Sequence, residues 1–425
     1  MNKAFRFIAA LAALVFAAAG CSTDTDSTTV PGVTDTTVTI GSHQPLTGPA
    51  AAYSGSAPAA EAYFDYVNDH GGVHGRKIIY SYRDDAFIPS NTVKIVRRLV
   101  EQDKVFAIFN GFGTHTHQAV VGYLNAQKVP DLFPSSGCPC WNNPTKLPYT
   151  FGWQTDYIRE GKILGAYVAK SFPDKKVAYF YQDDIGEDAV IGLDKQIPAS
   201  QVVARQSYQP GYNDVVPQME AIARAKADVI VSFAPAAYTA LLRLAQQKTG
   251  NAAKLVVYVG GSDPPTLSGL LPPPGTSGQG NPLIQGIIAS TYLTPLTATS
   301  NGWVALAKKI HDRYLRSRPL NFSVMYGVAT AYTFVQALQR AGKHPTRESL
   351  VEALERGKFS PGPGLTPLEY SPTSHAGYTG AQIGIIKGNG LVLEGPPMTT
   401  DAGDGPIVPY TSPPAQAPAN GLPPP

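Results

Sequence analysis

The chain has 425 residues with 34 basic and 31 acidic side chains, and only 15% of it is charged, where an average soluble domain carries about 25%. Its 41 glycines and 38 prolines make up roughly one residue in five against ~12% in ordinary usage, with a proline-dense run at the end. With three cysteines this length excludes a small disulfide scaffold and suits two domains of about 150 to 200 residues. The absence of clustered Lys and Arg excludes nucleic acid and an anionic membrane surface as partners.

Lys3 and Arg6 precede an apolar run from Phe7 to Ala19, the order of an export signal. No later apolar stretch approaches the ~18 to 20 residues that a membrane span requires. The run closes on Ala18-Ala19-Gly20-Cys21, which resembles the lipobox of bacterial lipoproteins. That likeness implies loss of residues 1–20 as a signal peptide and a lipid on Cys21 that attaches the protein to the membrane. Ordinary secretory cleavage beside a chance cysteine is the alternative. Residues 21–35 read as a Ser/Thr-rich tether without apolar periodicity. Cleavage takes Lys3 and Arg6 and no acidic residue, which leaves a nearly neutral protein.

From Thr36 onward one rhythm repeats: a short apolar run, a loop of small polar residues, then a helical pattern. Val38–Ile40 leads into Gly41–Pro49, and helical spacing follows at Ala57, Ala60, Phe64 and Val67. Val105–Phe109 leads into Asn110–Thr116 and a helix carrying Val120, Tyr123, Leu124 and Gln127. Val129–Phe133, Val177–Tyr181, Val229–Phe233 and Leu255–Val259 repeat the pattern, each followed by a polar or proline-bearing loop. Continuous apolar runs of this length predict strands buried on both faces, hence parallel sheets covered by helices and an α/β fold class. A break near Trp153–Tyr157 divides the runs into two sets, which predicts two doubly wound lobes.

Further along, Gly286–Thr291 reads as a strand, followed by helices around Trp303–Tyr314, Val324–Leu338 and Thr346–Leu354. The middle helix has a core stripe of Val324, Val328, Ala331, Val335 and Leu338. Ala381–Ile386 and Leu391–Leu393, separated by Lys387-Gly388-Asn389-Gly390, read as a closing hairpin. Residues 403–425 read as a disordered proline-rich tail.

Several ordered motifs carry a family likeness: Thr39-Ile40-Gly41, Pro45-Leu46-Thr47-Gly48-Pro49, Asn68-Asp69-His70-Gly71-Gly72-Val73-His74-Gly75-Arg76, Asp84-Asp85, Gly113-Thr114, Lys128-Val129-Pro130 and Ala225-Lys226-Ala227-Asp228-Val229. Over residues 36 to 395 the chain resembles the substrate-binding proteins of branched-chain amino acid ABC importers, the Leu/Ile/Val-binding protein family. The resemblance implies a type I periplasmic binding protein fold, in which two Rossmann-like lobes joined by three crossover strands close around a ligand. On that template residues 36–155 plus 292–365 form lobe 1, and 156–285 plus 370–395 form lobe 2. Independently, open α/β sheets bind ligands at the carboxyl ends of their strands, where these loops converge.

In the family the loop at Thr114 and the next one hold an amino acid's carboxylate. Thr114 takes the place of a family serine, and Ser135, Ser136 and Gly137 that of an Ala-Ala-Thr stretch. Thr114 and Thr116 in a glycine-rich loop that opens a helix also offer hydroxyls and free N–H groups to an anion, or else cap their own helix. Thr47 and Tyr53 beside the first loop complete the lobe 1 set. In lobe 2 the chain departs from the family: Ile185 precedes Gly186 where an aromatic residue is usual, and Ala234 and Pro235 replace tyrosines. The family acid that holds the ligand's ammonium falls near Ser262 or Asp263, which makes Asp263 the best remaining candidate, though a turn role before Pro264-Pro265 explains it at least as well. The loss of aromatic walls argues against a standard branched-chain amino acid and for a larger or non-amino-acid carboxylate or amide.

Cys138-Pro139-Cys140 either closes a small disulfide or stays reduced; zinc lacks four suitably spaced ligands. His43, His115 and His117 read as polar loop residues rather than metal ligands, and no cofactor is implied. No nucleophile elbow, His-Glu-x-x-His or P-loop is present, so the chain reads as no enzyme. The expected function is an extracytoplasmic receptor, in the periplasm or lipid-anchored on the outer face of the cytoplasmic membrane, that delivers a small-molecule ligand to an inner-membrane ABC permease. A ligand sensor with the same fold is the alternative.

Overall fold

A computed structural model describes residues 30–212, 214–272 and 280–424. The signal peptide, Cys21 and most of the tether lie outside the described residues.

Strands β1 (Thr37–Gln44), β2 (Lys77–Asp84), β3 (Ile108–Phe109), β4 (Asp131–Leu132) and β5 (Thr150–Phe151) form a wholly parallel sheet in the order β2-β1-β3-β4-β5. A second sheet opens with parallel β6 (Val177–Gln182), β7 (Val202–Tyr208), β8 (Val229–Phe233), β9 (Lys254–Val257) and β10 (Ile288–Thr291). A small hairpin pairs β11 (Leu368–Ser371) with β12 (Ser374–Tyr378). Antiparallel β13 (Gly380–Lys387), β14 (Gly390–Thr399) and β15 (Val408–Pro409) then extend the second sheet to β15-β14-β13-β10-β9-β8-β6-β7. The runs read as strands of the parallel sheets are those buried on both faces, and β8, for instance, is buried at every position; Leu391–Leu393 in β14 is half-exposed. The strands that reading lacked are edges: β2 alternates buried Ile78 with exposed Ile79, and β7 is largely half-exposed, so neither shows a continuous apolar run.

Helices α1 (Ser56–Asp69), α2 (Pro89–Glu101) and α3 (Thr114–Ala126) follow strands of the first sheet; α4 (Tyr157–Ser171) leads from β5 into the second sheet, whose strands are followed by α5 (Asp183–Asp194), α6 (Val216–Arg224), α7 (Ala236–Thr249) and α8 (Pro264–Leu270). The chain then returns to the first lobe with α9 (Gly302–Tyr314), α10 (Phe322–Arg340) and α11 (Arg347–Glu355). Helix α10 packs along α1 and is buried from Ser323 to Leu338, so its predicted stripe is one face of an element with no free face.

Three crossings join the lobes, and they lie side by side. Tyr378 N–H donates to Trp153 O (2.9 Å), Thr294 N–H to Pro363 O (2.8 Å) and Leu365 N–H to Tyr292 O (2.9 Å). The rings of Trp153, Tyr292 and Tyr378 pack against one another at this hinge.

The proline-rich end is a correction to the expectation of disorder. Residues 400–405 fold over α4, where buried Lys162 donates through Nζ to the carbonyls of Asp401, Gly403 and Gly405 and to Asp401 Oδ1 at 2.9 to 3.0 Å. The chain then crosses to the first lobe, where Trp303 Nε1 donates to Ala415 O, Tyr66 Oη to Asn420 O, Tyr63 Oη to Gly421 O and Gln339 Nε2 to Pro423 O. Proline has no N–H and cannot build a helix or inner strand, which is why the composition reads as disorder. Its segment still carries carbonyls, and here the lobes supply the donors.

Ending the chain at Tyr410 removes four such bonds and the burial of Gly421 and Pro423. At ~1 kcal/mol per bond the expected loss is about 2–4 kcal/mol, read as a melting temperature lowered by several degrees. An unchanged melting temperature would show that the segment contributes no stability.

Candidate functional site

Between the lobes lies a cavity of about 990 Å³, mouth included. Lobe 1 lines it with Tyr53, Ser56, Phe87, Phe112, Thr114, Ser135, Phe322, Ser323 and Tyr326, and lobe 2 with Tyr157, Asp184, Ile185, Tyr238, Tyr258 and Asp263 among others. Its walls sit where strands end and helices begin: α1, α3, α5, α7 and α10 all start at this surface. Their first-turn N–H groups have no intrahelical acceptor, so the cleft is rich in donors.

The lobes are bonded across the cleft. Tyr53 Oη donates to Gly260 O (2.6 Å) and accepts from Ala236 N–H (2.8 Å). His115 Nδ1 meets Asp184 Oδ2 at 2.9 Å, and Asp263 Oδ1 accepts from Phe322 N–H at 3.2 Å. This is a closed arrangement, in which one tyrosine hydroxyl holds two backbone groups of the opposite lobe.

Of the residues singled out from sequence, Thr114, Ser135, Ile185, Asp263 and Tyr53 line the cavity. Five others do not. Thr116 is buried and donates to Phe112 O (2.5 Å), so its hydroxyl serves its own helix start. Ser136 stands one layer back, bonded to Thr114 Oγ1 (2.7 Å) and accepting from Cys138 N–H (3.1 Å). Gly137 lies against the ring of Tyr157. Ala234 is fully buried beneath the wall, which Pro235 and Ala236 form instead. Thr47 is exposed and bonds to Asp84 through Oγ1 (2.6 Å) and its N–H (3.1 Å), which pins the first loop.

The expected loss of aromatic walls is also corrected. Ile185 does stand where the family has an aromatic residue, and Ala234 and Pro235 where it has tyrosines, but Phe87, Phe112, Tyr157, Tyr238, Tyr258, Tyr292, Phe322 and Tyr326 line the cavity from other positions. Tyr258 and Tyr292 directly follow β9 and β10, and Phe322 opens α10; an aromatic residue just past a strand or at a helix start was the signal to follow. Asp263 accepts from Thr266 N–H (3.0 Å) and Thr266 Oγ1 (2.5 Å) and so caps α8, the turn role that proline context suggested. Burial raises its pKa despite these donors. Cys138 and Cys140 are joined in a disulfide.

The histidines divide. His115 belongs to the cleft, whereas His43 and His117 are wholly buried beneath it in a chain of four side chains. Asp85 Oδ2 meets His43 Nδ1 (2.8 Å), His43 Nε2 meets His117 Nδ1 (2.9 Å), and His117 Nε2 meets Asp131 (2.9 Å). All four ring nitrogens are thereby used. Burial pushes the His43 pKa down; burial also pushes Asp85 up, but the His43 and Thr92 donors outweigh it and hold that carboxyl low. Gly111 packs on this pair, and a Cβ there would sit 2.5 Å from His43 Nε2 and 2.6 Å from His117 Nδ1. Gly111→Ala is therefore expected to cost about 1–3 kcal/mol of stability in denaturant titration, and a neutral result would mean the pair yields without loss.

Behind the cavity wall, Glu160 on α4 accepts from Val259 N–H (2.8 Å) and Ser290 Oγ (2.5 Å) through Oε1, while Oε2 has no partner among the described residues. Burial raises its pKa to about 7. A carboxyl whose pKa rises on folding stabilises the protein most below the unfolded value, and that contribution fades as pH climbs through 7. The span is worth on the order of 3 kcal/mol. Glu160→Gln is thus expected to flatten the fall in melting temperature between pH 5 and pH 8; an equally steep fall in the variant would assign the slope to other groups.

Comparison with known proteins agrees with this geometry. The family model described as periplasmic binding protein matches residues 37–390. The Leu/Ile/Val-binding protein homolog 3 of Brucella melitensis is 28% identical over 145 residues, 34% of this chain and 39% of that protein. The alignment thus spans about two-fifths of the length of the curated relative. Among solved structures, a fatty acid ABC transporter substrate-binding protein from Thermomonospora curvata superposes with a TM-score of 0.74 at 23% identity, over 88% of this chain and 95% of that one. A branched-chain amino acid ABC transporter protein from Thermus thermophilus with bound valine gives 0.73 at 20%, over 87% and 98%. These likenesses show the type I periplasmic binding protein fold, and the chain belongs to the periplasmic binding protein family.

Proposed function

We propose that the protein is an extracytoplasmic receptor that captures a small organic ligand by closure of its two lobes and delivers it to an ABC permease in the cytoplasmic membrane. The observation that carries this reading is the interlobe cavity, lined from both lobes and spanned by the bonds of Tyr53, His115 and Asp263. A ligand touching both walls stabilises the closed form over an open one, which is a shift of population and needs no chemistry. Relatives named for fatty acid and for branched-chain amino acid transport support a carboxylate-bearing ligand. The start of α3, with the Thr114 hydroxyl and the N–H groups of Thr114, His115 and Thr116 without a partner among the described residues, suits that carboxylate. The Ala18-Ala19-Gly20-Cys21 sequence supports a lipid anchor at Cys21 and a place in the cell envelope.

A thermal-shift screen of amino acids, amides, aromatic and aliphatic acids should return ligands that raise the melting temperature. With such a ligand, Thr114→Ala is expected to weaken binding by roughly 1–2 kcal/mol, and Tyr53→Phe by about 1 kcal/mol through loss of the interlobe bonds. Small-angle scattering should show contraction on binding. Absence of any stabilising ligand, or unchanged affinity in both variants, would refute the receptor reading and the assigned contacts respectively.

A further inference from the structure

Resting on the receptor reading, we infer that the cleft is built for an organic acid with an apolar or aromatic body and no ammonium group beside its carboxylate. Among the described residues, the only ionisable groups on the cavity surface besides tyrosines are Asp184 and Asp263. Each is already engaged within the protein. Asp184 receives Gln182 Nε2 on Oδ1 (2.7 Å) and His115 Nδ1 on Oδ2 (2.9 Å). Asp263 receives two donors from Thr266 and the N–H of Phe322. An α-ammonium brings three N–H donors into a closed site, and burying them without acceptors is costly. A ring face can balance the charge of such a group, yet it accepts poorly from its N–H bonds.

The remaining polar groups point the other way. Helices α1, α3 and α7 begin at the cavity without an acidic residue in the first turn, so their positive ends are not neutralised from within the helix, whereas the start of α10 is met by Asp263. Ser56 and Ser323, 4% and 6% exposed, line the cavity at the starts of α1 and α10, and their hydroxyls have no bonding partner among the described residues. Thr114 and Ser135 add two more hydroxyls. The helix-start N–H groups can only donate, the hydroxyls can turn either way and that of Thr114 is shared with Ser136, and the rest of the surface is aromatic: Tyr53, Phe87, Phe112, Tyr258, Tyr292 and Phe322 offer flat apolar area to the body of the ligand.

Matched compounds separate the two head groups. The exported chain without its signal is titrated calorimetrically with 3-phenylpropanoate and phenylalanine, with 4-methylpentanoate and leucine, and with 3-phenylpropanamide and choline. In at least one pair the acid is expected to bind tenfold or more tightly than its amino acid, and the amide and choline more weakly than the acid. Equal or tighter binding of the amino acids, with contraction in scattering, overturns the inference and leaves the receptor reading standing. Tightest binding of choline overturns it in favour of a cationic ligand, and tightest binding of the amide overturns the need for an anion. No binding by any of the six also overturns it, and the broader thermal-shift screen then decides the receptor reading by itself.

Discussion

A hydrogen bond between two imidazoles, His43 Nε2 to His117 Nδ1 at 2.9 Å, fixes the cleft side of the first lobe. His43 lies near the end of β1, Asp85 just past β2, His117 in the first turns of α3, and Asp131 on β4. The chain of four side chains therefore adds side-chain ties between three strands and a helix start, beside the backbone pairing of β1 with β2 that ends at Gln44 and Asp84. Each outer ring nitrogen faces a carboxyl group, and the central bond joins a nitrogen of one ring to a nitrogen of the other. Thr92 Oγ1 (2.7 Å) and Thr150 Oγ1 (2.9 Å) donate to the same two carboxyl groups. A network that closes its own donors and acceptors specifies one geometry, because each partner left alone in the interior would be costly.

The consequence reaches the ligand surface through glycine. Gly111 rests on both rings, and Gly113 takes φ 95° before α3, a conformation that side chains resist. The stretch between them turns Phe112 and Thr114 to the cavity while Thr116 bonds back to Phe112 O. Two threonines separated by a single residue thus diverge: Thr114 faces the ligand space and Thr116 secures the loop.

Much of this was legible in the sequence because burial writes itself as uninterrupted apolar runs. The inner strands, the parallel order and the hairpin of β13 and β14 all came from that signal, and the polar loops after the strands marked the cleft. What escaped were features without a local signature. β2 and β7 are edges, and edges keep polar residues on one side. The aromatic lining is assembled from eight loops and helix starts far apart in the chain, so no single motif announces it. The pairing of His43 with His117 spans 74 residues and depends on β1 and β3 lying side by side. Asp263 was legible from both sides, and the turn chemistry around Pro264-Pro265 proved the stronger guide to its bonds.

The terminal segment follows the same logic of satisfied donors and alters how hinge motion must be understood. A binding protein with three side-by-side crossings opens by bending those strands, and the aromatic packing of Trp153, Tyr292 and Tyr378 sets where the bend falls. Here a fourth connection runs over the outside, gripped on the second lobe by Lys162 and on the first by Tyr63, Tyr66 and Trp303. The Lys162 ammonium is the tighter anchor, since a buried charge with four oxygen partners cannot release one of them without losing solvation that water does not replace. The grip on the first lobe is made of neutral donors to single carbonyls, each worth ~1 kcal/mol and partly open to water. β15 and the Tyr410 N–H bond to Pro397 O add to the grip on the second lobe, so any opening that exceeds the slack of residues 411–414 strips the first-lobe bonds first and leaves the segment attached to the second lobe.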